Sequence, residues 1–411
     1  MNFQISEMKN GLPCIFSPVP GTPRMALAAA FKGGVRREDV PGTAKLADRL
    51  LMKGTERRDA EQLARELEER AIDVRELTLS DCSLLVMVFL NREFDLALDL
   101  FQDMLLHSTY AEFPKELVKI AGEINASLDQ PGEMAQDGLL RTLFDGHPYG
   151  HTGTRMLESL EGLTPEMARD WYTRGLSAGM MNLTLVGDFD PDRALSALEA
   201  RFGDLPAGSE EAPFPPLVQA TADRLVTRAR PDAQQAQVLQ GWYAPPLGAA
   251  EQPAMAVMNN ILGGAGLSSR LFSELRDKQG MAYSVRSQYL PMRQVGDFVM
   301  AIGTSPENIA RARQGFREQL TRLQNEPVTD EELRNAKGHM YGVYVLSHET
   351  TSQYCLDLTF NHIQGMGPDY NERLLRAMEG VTVADVQAAA QRIQGPSVTV
   401  VVAREDALPG E

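Results

Sequence analysis

The chain has 411 residues, 43% of them hydrophobic and 23% charged, which is ample for a large buried core of more than one domain and excludes a disordered polymer. The net charge of −16 argues against nucleic acid or anionic lipid as the main partner. No stretch approaches the ~20 consecutive apolar residues of a membrane span, and the opening MNFQISEMKNGL has no basic region followed by an apolar one. The expectation is a cytoplasmic protein, or a periplasmic one if an export signal has been removed. Cys14, Cys82 and Cys355 are odd in number and too far apart for a C-x-x-C motif, so they read as reduced, buried thiols.

In chain order, SLLVMVFLNREFDLALDLFQDMLLH (83–107) is an apolar strand, a short turn and an amphipathic helix. A long helical stretch follows over 114–144. LEGLTPEMARDWYTRGLSAGMMNLTLVGDFD (160–190) then runs from a Thr164 N-cap through a helix into an apolar strand. Between 205 and 221, LPAGSEEAPFPPLVQAT gathers four prolines with small and charged residues, the composition of an exposed linker. After it the plan returns. GDFVMAIGTSPENIARARQGFREQLTRL repeats strand, turn and helix; 329–362 is a second long helical stretch; and MEGVTVADVQAAAQRIQGPSVTVVVARED closes with a Thr382 N-cap, a helix and a strand. A period of nearly 200 residues means a duplicated domain. The expected architecture is α+β: two homologous domains, 1–205 and 222–411, joined by a linker at 206–221. Each would be a mostly antiparallel sheet with helices packed on one face.

Several segments, in order and over almost the whole chain, resemble the pitrilysin and mitochondrial-processing-peptidase family. They are NGLPCIFSPVPGTPRMALAAAFKGGVRRED, GTAKLADRLLMKGTERRDAEQLARELEE, HPYGHTGT, LTPE, NLTLVGDFD and ILGGAGLSSRLFSELRDKQGMAYSV. The resemblance implies half of a clamshell that closes on a peptide. Active members carry H-x-x-E-H on a helix, where two His four apart share one face and bind zinc, and the Glu takes a proton from the metal-bound water.

Here the matching pentapeptide is Lys45-Leu46-Ala47-Asp48-Arg49. Both His are replaced by cations that do not coordinate zinc at neutral pH, and the Glu is shortened to Asp48. His147 and His151 are also four apart, but HPYGH contains Pro148 and Gly150 and reads as a turn. Glu116 and Glu123, seven apart in KELVKIAGEIN, match the family's two later carboxylates, Glu123 standing at the third zinc ligand. The resemblance thus implies a degenerate zinc site of Lys45, Asp48, Arg49, Glu116 and Glu123 with no metal. In it the two cations replace the ion's charge and Arg49 pairs with Glu123.

In the second half, Arg276 and Tyr283 match the family's substrate-holding Arg and Tyr. Such an Arg hydrogen-bonds a substrate carbonyl, and such a Tyr donates to the developing oxyanion. GGAG at 263–266 lacks the Lys-Ser/Thr of a phosphate loop and reads as a turn ahead of the helix bearing Arg276. Arg75 and Glu76 match positions where active members add substrate to an edge strand, and a bulky charged pair there opposes strand addition.

Loss of the metal ligands beside retention of Arg276 and Tyr283 implies a zinc-less subunit. It would hold no cofactor itself and would lend both residues to a zinc-binding paralogue with its own H-x-x-E-H. Peptide is the implied substrate, and a homodimer is allowed without the partner. The alternative is a non-enzymatic assembly or peptide-binding homologue of the same family.

Overall fold

The computed structural model describes residues 2–208, 211, 213–218 and 220–409. It divides into two compact units. The first comprises Met1–Gly122, Arg155–Phe214 and Val345–Asn371; the second comprises Glu123–Thr154, Pro215–Tyr344 and Glu372–Glu411.

The first unit is built on a six-stranded sheet: β1 (Gln4–Glu7), β2 (Pro13–Pro18), β3 (Arg24–Lys32), β4 (Asp73–Thr78), β5 (Cys82–Leu90) and β6 (Met181–Gly187). Its spatial order is β1-β2-β6-β3-β5-β4. Only β2 and β6 run parallel. The second unit has β7 (Arg224–Ala229), β8 (Ala236–Ala244), β9 (Ala282–Leu290), β10 (Gly296–Thr304) and β11 (Val398–Ala403), ordered β7-β11-β8-β10-β9. Only β7 and β11 run parallel.

The two orders are the same order. Reading β2-β6-β3-β5-β4 against β7-β11-β8-β10-β9 matches every neighbour and every direction. The duplication expected from the sequence is therefore a duplicated sheet, with β1 as an addition. The α+β class and mostly antiparallel pairing are as expected. Thr164 and Thr382 cap their helices, accepting from the amides of Met167 and Asp385.

Both faces of each sheet are covered, and the second face explains why the compact units are not the two halves of the sequence. Side chains alternate along a strand. In β3, Ala26, Ala28 and Ala30 face the Thr351–Ile363 helix, contributed by the second half, and share a core with Tyr354, Cys355 and Leu358. Three alanines let that helix sit close, so that the Cys355 thiol reaches the carbonyls of Ala26 and Thr184, each at 3.6 Å. In β11, Val398, Val400 and Val402 face the Pro131–Leu143 helix, contributed by the first half, whose Ala135, Leu139 and Leu143 join them. Gly241 of β8 leaves room for this helix: a Cβ there would lie 3.1 Å from Leu139. The opposite face of that sheet, with Val238, Trp242, Phe298 and Met300, packs on the second half's own helices through Met258, Phe316 and Val386. Each half thus lends one helix to the other's sheet. The expectation of helices on a single face holds for neither sheet.

The linker expected at 206–221 divides between the units, residues to Phe214 with the first and from Pro215 with the second. Positions 209, 210, 212 and 219 lie outside the described residues. Among the described residues no helix is long and apolar enough to cross a membrane.

Candidate functional site

The Thr43–Leu50 helix starts at Gly42, whose φ of +95° suits glycine. The Glu38 carboxylate accepts from the amides of Gly42 and Ala44 at 3.1 and 2.9 Å, placing negative charge at the positive end of the helix. Leu46, Ala47 and Leu50 anchor it in the core. This fixes the directions of the three positions that matter. Lys45 points to solvent, Asp48 is buried with 2% exposure, and Arg49 is half-buried.

Arg49 and Glu116 form the central pair. Arg49 Nε donates to Glu116 Oε2 at 2.7 Å, with side-chain exposures of 12% and 8%. The other oxygen, Oε1, faces the ammonium of Lys53 at 3.4 Å. Glu116 lies in the Phe113–Leu128 helix; Glu123 is seven residues further along the same helix and exposed. Sequence reasoning did not single out Lys53, which lies just past the end of the Thr43–Leu50 helix.

Asp48 receives the Thr78 hydroxyl on Oδ2 at 2.7 Å from the edge strand β4. Burial pushes its carboxyl up to about 7, against the lowering effect of that hydroxyl and of the Arg37 guanidinium. Arg37 itself lies 4.6 Å over the Trp171 ring and donates to the Trp171 carbonyl at 2.7 Å. Burial brings its pKa down to about 10. The phenols of Tyr110 and Tyr172, both buried and both raised by desolvation, lie within the electrostatic reach of Asp48.

On the edge strand, Arg75 is exposed and bonded at 2.8 Å to Asp73, two residues back on the same face, while Glu76 is half-buried. β4 pairs with β5 alone among the described strands. His147 and His151 flank a 3-10 turn, Pro148–Gly150, as expected. His147 is held in place, its Nδ1 accepting from the Tyr149 amide and its Nε2 bonded to Gln294 at 2.8 Å. All three cysteines are buried, and desolvation pushes the Cys14 and Cys355 thiols up to about 12.

In the second unit, the glycine-rich 263–266 stretch, expected as a turn, runs from the end of a π-helical segment, Asn260–Gly264, into a 3-10 helix, Gly266–Ser268, and presses onto β9: a Cβ on Gly263 would lie 2.3 Å from the Ser287 amide. A π-helical turn, Phe272–Asp277, follows and carries Arg276. Gly280, with φ of +61°, then reverses the chain into β9, where Tyr283 is 78% exposed. The Arg276 guanidinium carbon is 4.4 Å from the centre of the Phe272 ring and 5.5 Å from that of Tyr283. No described carboxylate or carbonyl bonds to it. The sequence carried no signal for Phe272 beyond its position four residues before Arg276.

Comparison with protein families places this chain among the peptidases. Residues 19–154 match the model of the insulinase family, peptidase family M16, and residues 162–340 match that of the peptidase M16 inactive domain. The chain belongs to peptidase family M16. It is 27% identical over 348 residues to an uncharacterized zinc protease of Mycobacterium leprae, covering 82% of this chain and 77% of the relative. It is 24% identical to an uncharacterized zinc protease of Rickettsia felis over 413 residues, with 100% and 99% covered. Among solved structures, a peptidase M16 inactive domain from Pseudomonas fluorescens superposes with a TM-score of 0.91 at 22% identity, covering the whole of both chains. A protease from Helicobacter pylori gives 0.89 at 19%, covering 98% and 99%.

The residues at the expected metal position do not fit a zinc ion. Arg49 has no lone pair to give and occupies Glu116, and Lys45 carries its charge into solvent. Among the described residues, no three His, Cys, Asp or Glu side chains gather as a metal site.

Proposed function

We propose that this chain is the zinc-less subunit of a two-chain metallopeptidase. It lends Arg276 and Tyr283 to the zinc site of a paralogue that carries H-x-x-E-H. The observation that carries this reading is the contrast between the two residue sets. At the former metal position Glu116 is neutralised by Arg49 and Lys53. On β9 and the turn before it, Arg276 and Tyr283 stay exposed or half-exposed, with their hydrogen-bonding groups unengaged among the described residues. A guanidinium and a phenol in that state suit a substrate carbonyl and a developing oxyanion. Lys45, Asp48, Arg49, Glu116 and Glu123 form the degenerate zinc site in this reading, with Arg49 and Lys53 set against Glu116. Arg75 and Glu76, on the open edge of β4, mark a first half that no longer takes the peptide as an added strand.

The test is a mixing experiment. The chain alone is expected to leave an unstructured peptide intact, and the mixture with its zinc paralogue to cleave it. Arg276→Ala and Tyr283→Phe should each slow the mixture by about 10²–10³, the usual cost of one oxyanion donor. Full activity in both substituted mixtures would leave the non-enzymatic assembly role as the better account.

A further inference from the structure

Arg276 is ordered without the partner that usually orders an arginine. A guanidinium is most often held by a carboxylate, but that bond consumes its N–H donors. The acids nearest in sequence do not pair with it: Glu274 takes Lys278 at 2.9 Å and Arg322 at 3.4 Å, and Asp277 is exposed. What Arg276 has is ring faces. Phe272 is 9% exposed, four residues earlier on the same helical face, with the guanidinium carbon 4.4 Å from its ring centre. A ring face attracts the cation through its quadrupole and leaves the N–H edge free.

The backbone beneath is fixed as well. Leu275 is fully buried against the Ile309–Asn325 helix at Gly315, where a Cβ would lie 2.6 Å from the leucine. The π-turn closes with the Lys278 amide on the Ser273 carbonyl at 3.0 Å and the Gly280 amide on the Arg276 carbonyl at 2.8 Å. Such turns recur at functional positions, where an extra residue in the helix re-aims a side chain.

We infer that Phe272 is a positioning residue: its ring is the platform that holds the Arg276 guanidinium beside Tyr283 with its donors free for substrate. The inference rests on the reading of Arg276 as a substrate-gripping group.

Two measurements test it. In the chain alone, the Nε–H resonance of Arg276, assigned with Arg276→Lys, should lie upfield of an unstacked arginine. It should move toward the unstacked position in Phe272→Leu and stay in Phe272→Tyr. With the zinc paralogue, Phe272→Leu should lower kcat/KM by about 2- to 30-fold, the range of a cation–π contact, and Phe272→Tyr should restore it. If Phe272→Leu fails to fold, Phe272→Met serves in its place. An Arg276 resonance that is the same with and without the ring overturns the platform. A resonance that moves as expected, in a mixture indifferent to Arg276→Ala, keeps the platform and removes the lending role instead.

Discussion

Two buried carboxylates of the first unit are handled in opposite ways. Glu116 is paired with two cations, Arg49 and Lys53. Removing Arg49 strands a nearly buried charge, which typically costs 3–5 kcal/mol, and Lys53 recovers part of that. Arg49→Ala is therefore expected to destabilise the chain by about 2–4 kcal/mol in urea unfolding. The double replacement R49M/E116L, with apolar groups of similar size, should restore most of the loss. A double variant as unstable as the single one would show that the pair does more than neutralise.

Burial outweighs the lowering effect of the Ser83 and Thr78 hydroxyls and of the Arg37 guanidinium on Asp48, and its folded pKa of about 7 lies above its ordinary value of 3.8. Between those values the folded state holds a proton that the unfolded state has released. Stability therefore falls as pH rises from about 4 to about 7 and stays low above that. Asp48→Asn keeps an acceptor for Thr78 and cannot ionise. It should match the parent near pH 4 and be more stable by about 1–3 kcal/mol at pH 8. Urea midpoints at the two pH values decide it. A variant that gains nothing at pH 8 would mean that Asp48 is not held neutral by burial. Asp297 of β10, 2% exposed and raised to about 7 by burial, gives the second unit the same slope.

At the scale of elements, the two crossing helices set the energetics. The Pro131–Leu143 helix belongs to the first half of the sequence but covers β8 and β11; the Thr351–Ile363 helix belongs to the second half but covers β3 and β6. Truncating a fully buried leucine costs about 2–5 kcal/mol. Leu139→Ala should therefore weaken amide-exchange protection first in β8 and β11, and Leu358→Ala first in β3 and β6. Each variant loosens the sheet of the half that does not contain it. Loss confined to the variant's own half would contradict the exchange.

The sequence showed that 114–144 and 329–362 are helical, since 3.6-residue periodicity is local, but each is two helices: Phe113–Leu128 with Pro131–Leu143, and Asp330–Ser347 with Thr351–Ile363. It could not show which sheet each would cover. An apolar face fits any apolar surface, and the choice was made by small residues at the crossings: Ala26, Ala28 and Ala30 on one side and Gly241 on the other.

At the scale of the whole molecule, the exchange decides what can fold alone. A fragment ending at residue 205 lacks the Thr351–Ile363 helix and would bare the Ala26–Ala28–Ala30 face of its sheet. A fragment starting at 222 lacks the Pro131–Leu143 helix and would bare Val398, Val400 and Val402. Each is expected to be insoluble or molten when expressed separately, and the pair to recover a cooperative melt when expressed together. A sharp thermal transition in either fragment alone would show that its sheet needs no borrowed cover.

Chemistry carried by residue types at short spacing was legible from the chain itself. The resemblance to a known family singled out Lys45-Leu46-Ala47-Asp48-Arg49, Glu116 with Glu123 and Arg276 with Tyr283, and local periodicity showed that the strand, turn and helix plan occurs twice. Tertiary structure alone decided which carboxylate Glu116 or Asp48 would meet a cation, where Arg276 would rest, and whose helix would cover whose sheet. Those outcomes turn on distances between residues far apart in the chain. Such distances are set by how closely small side chains let two surfaces approach, which no single segment encodes.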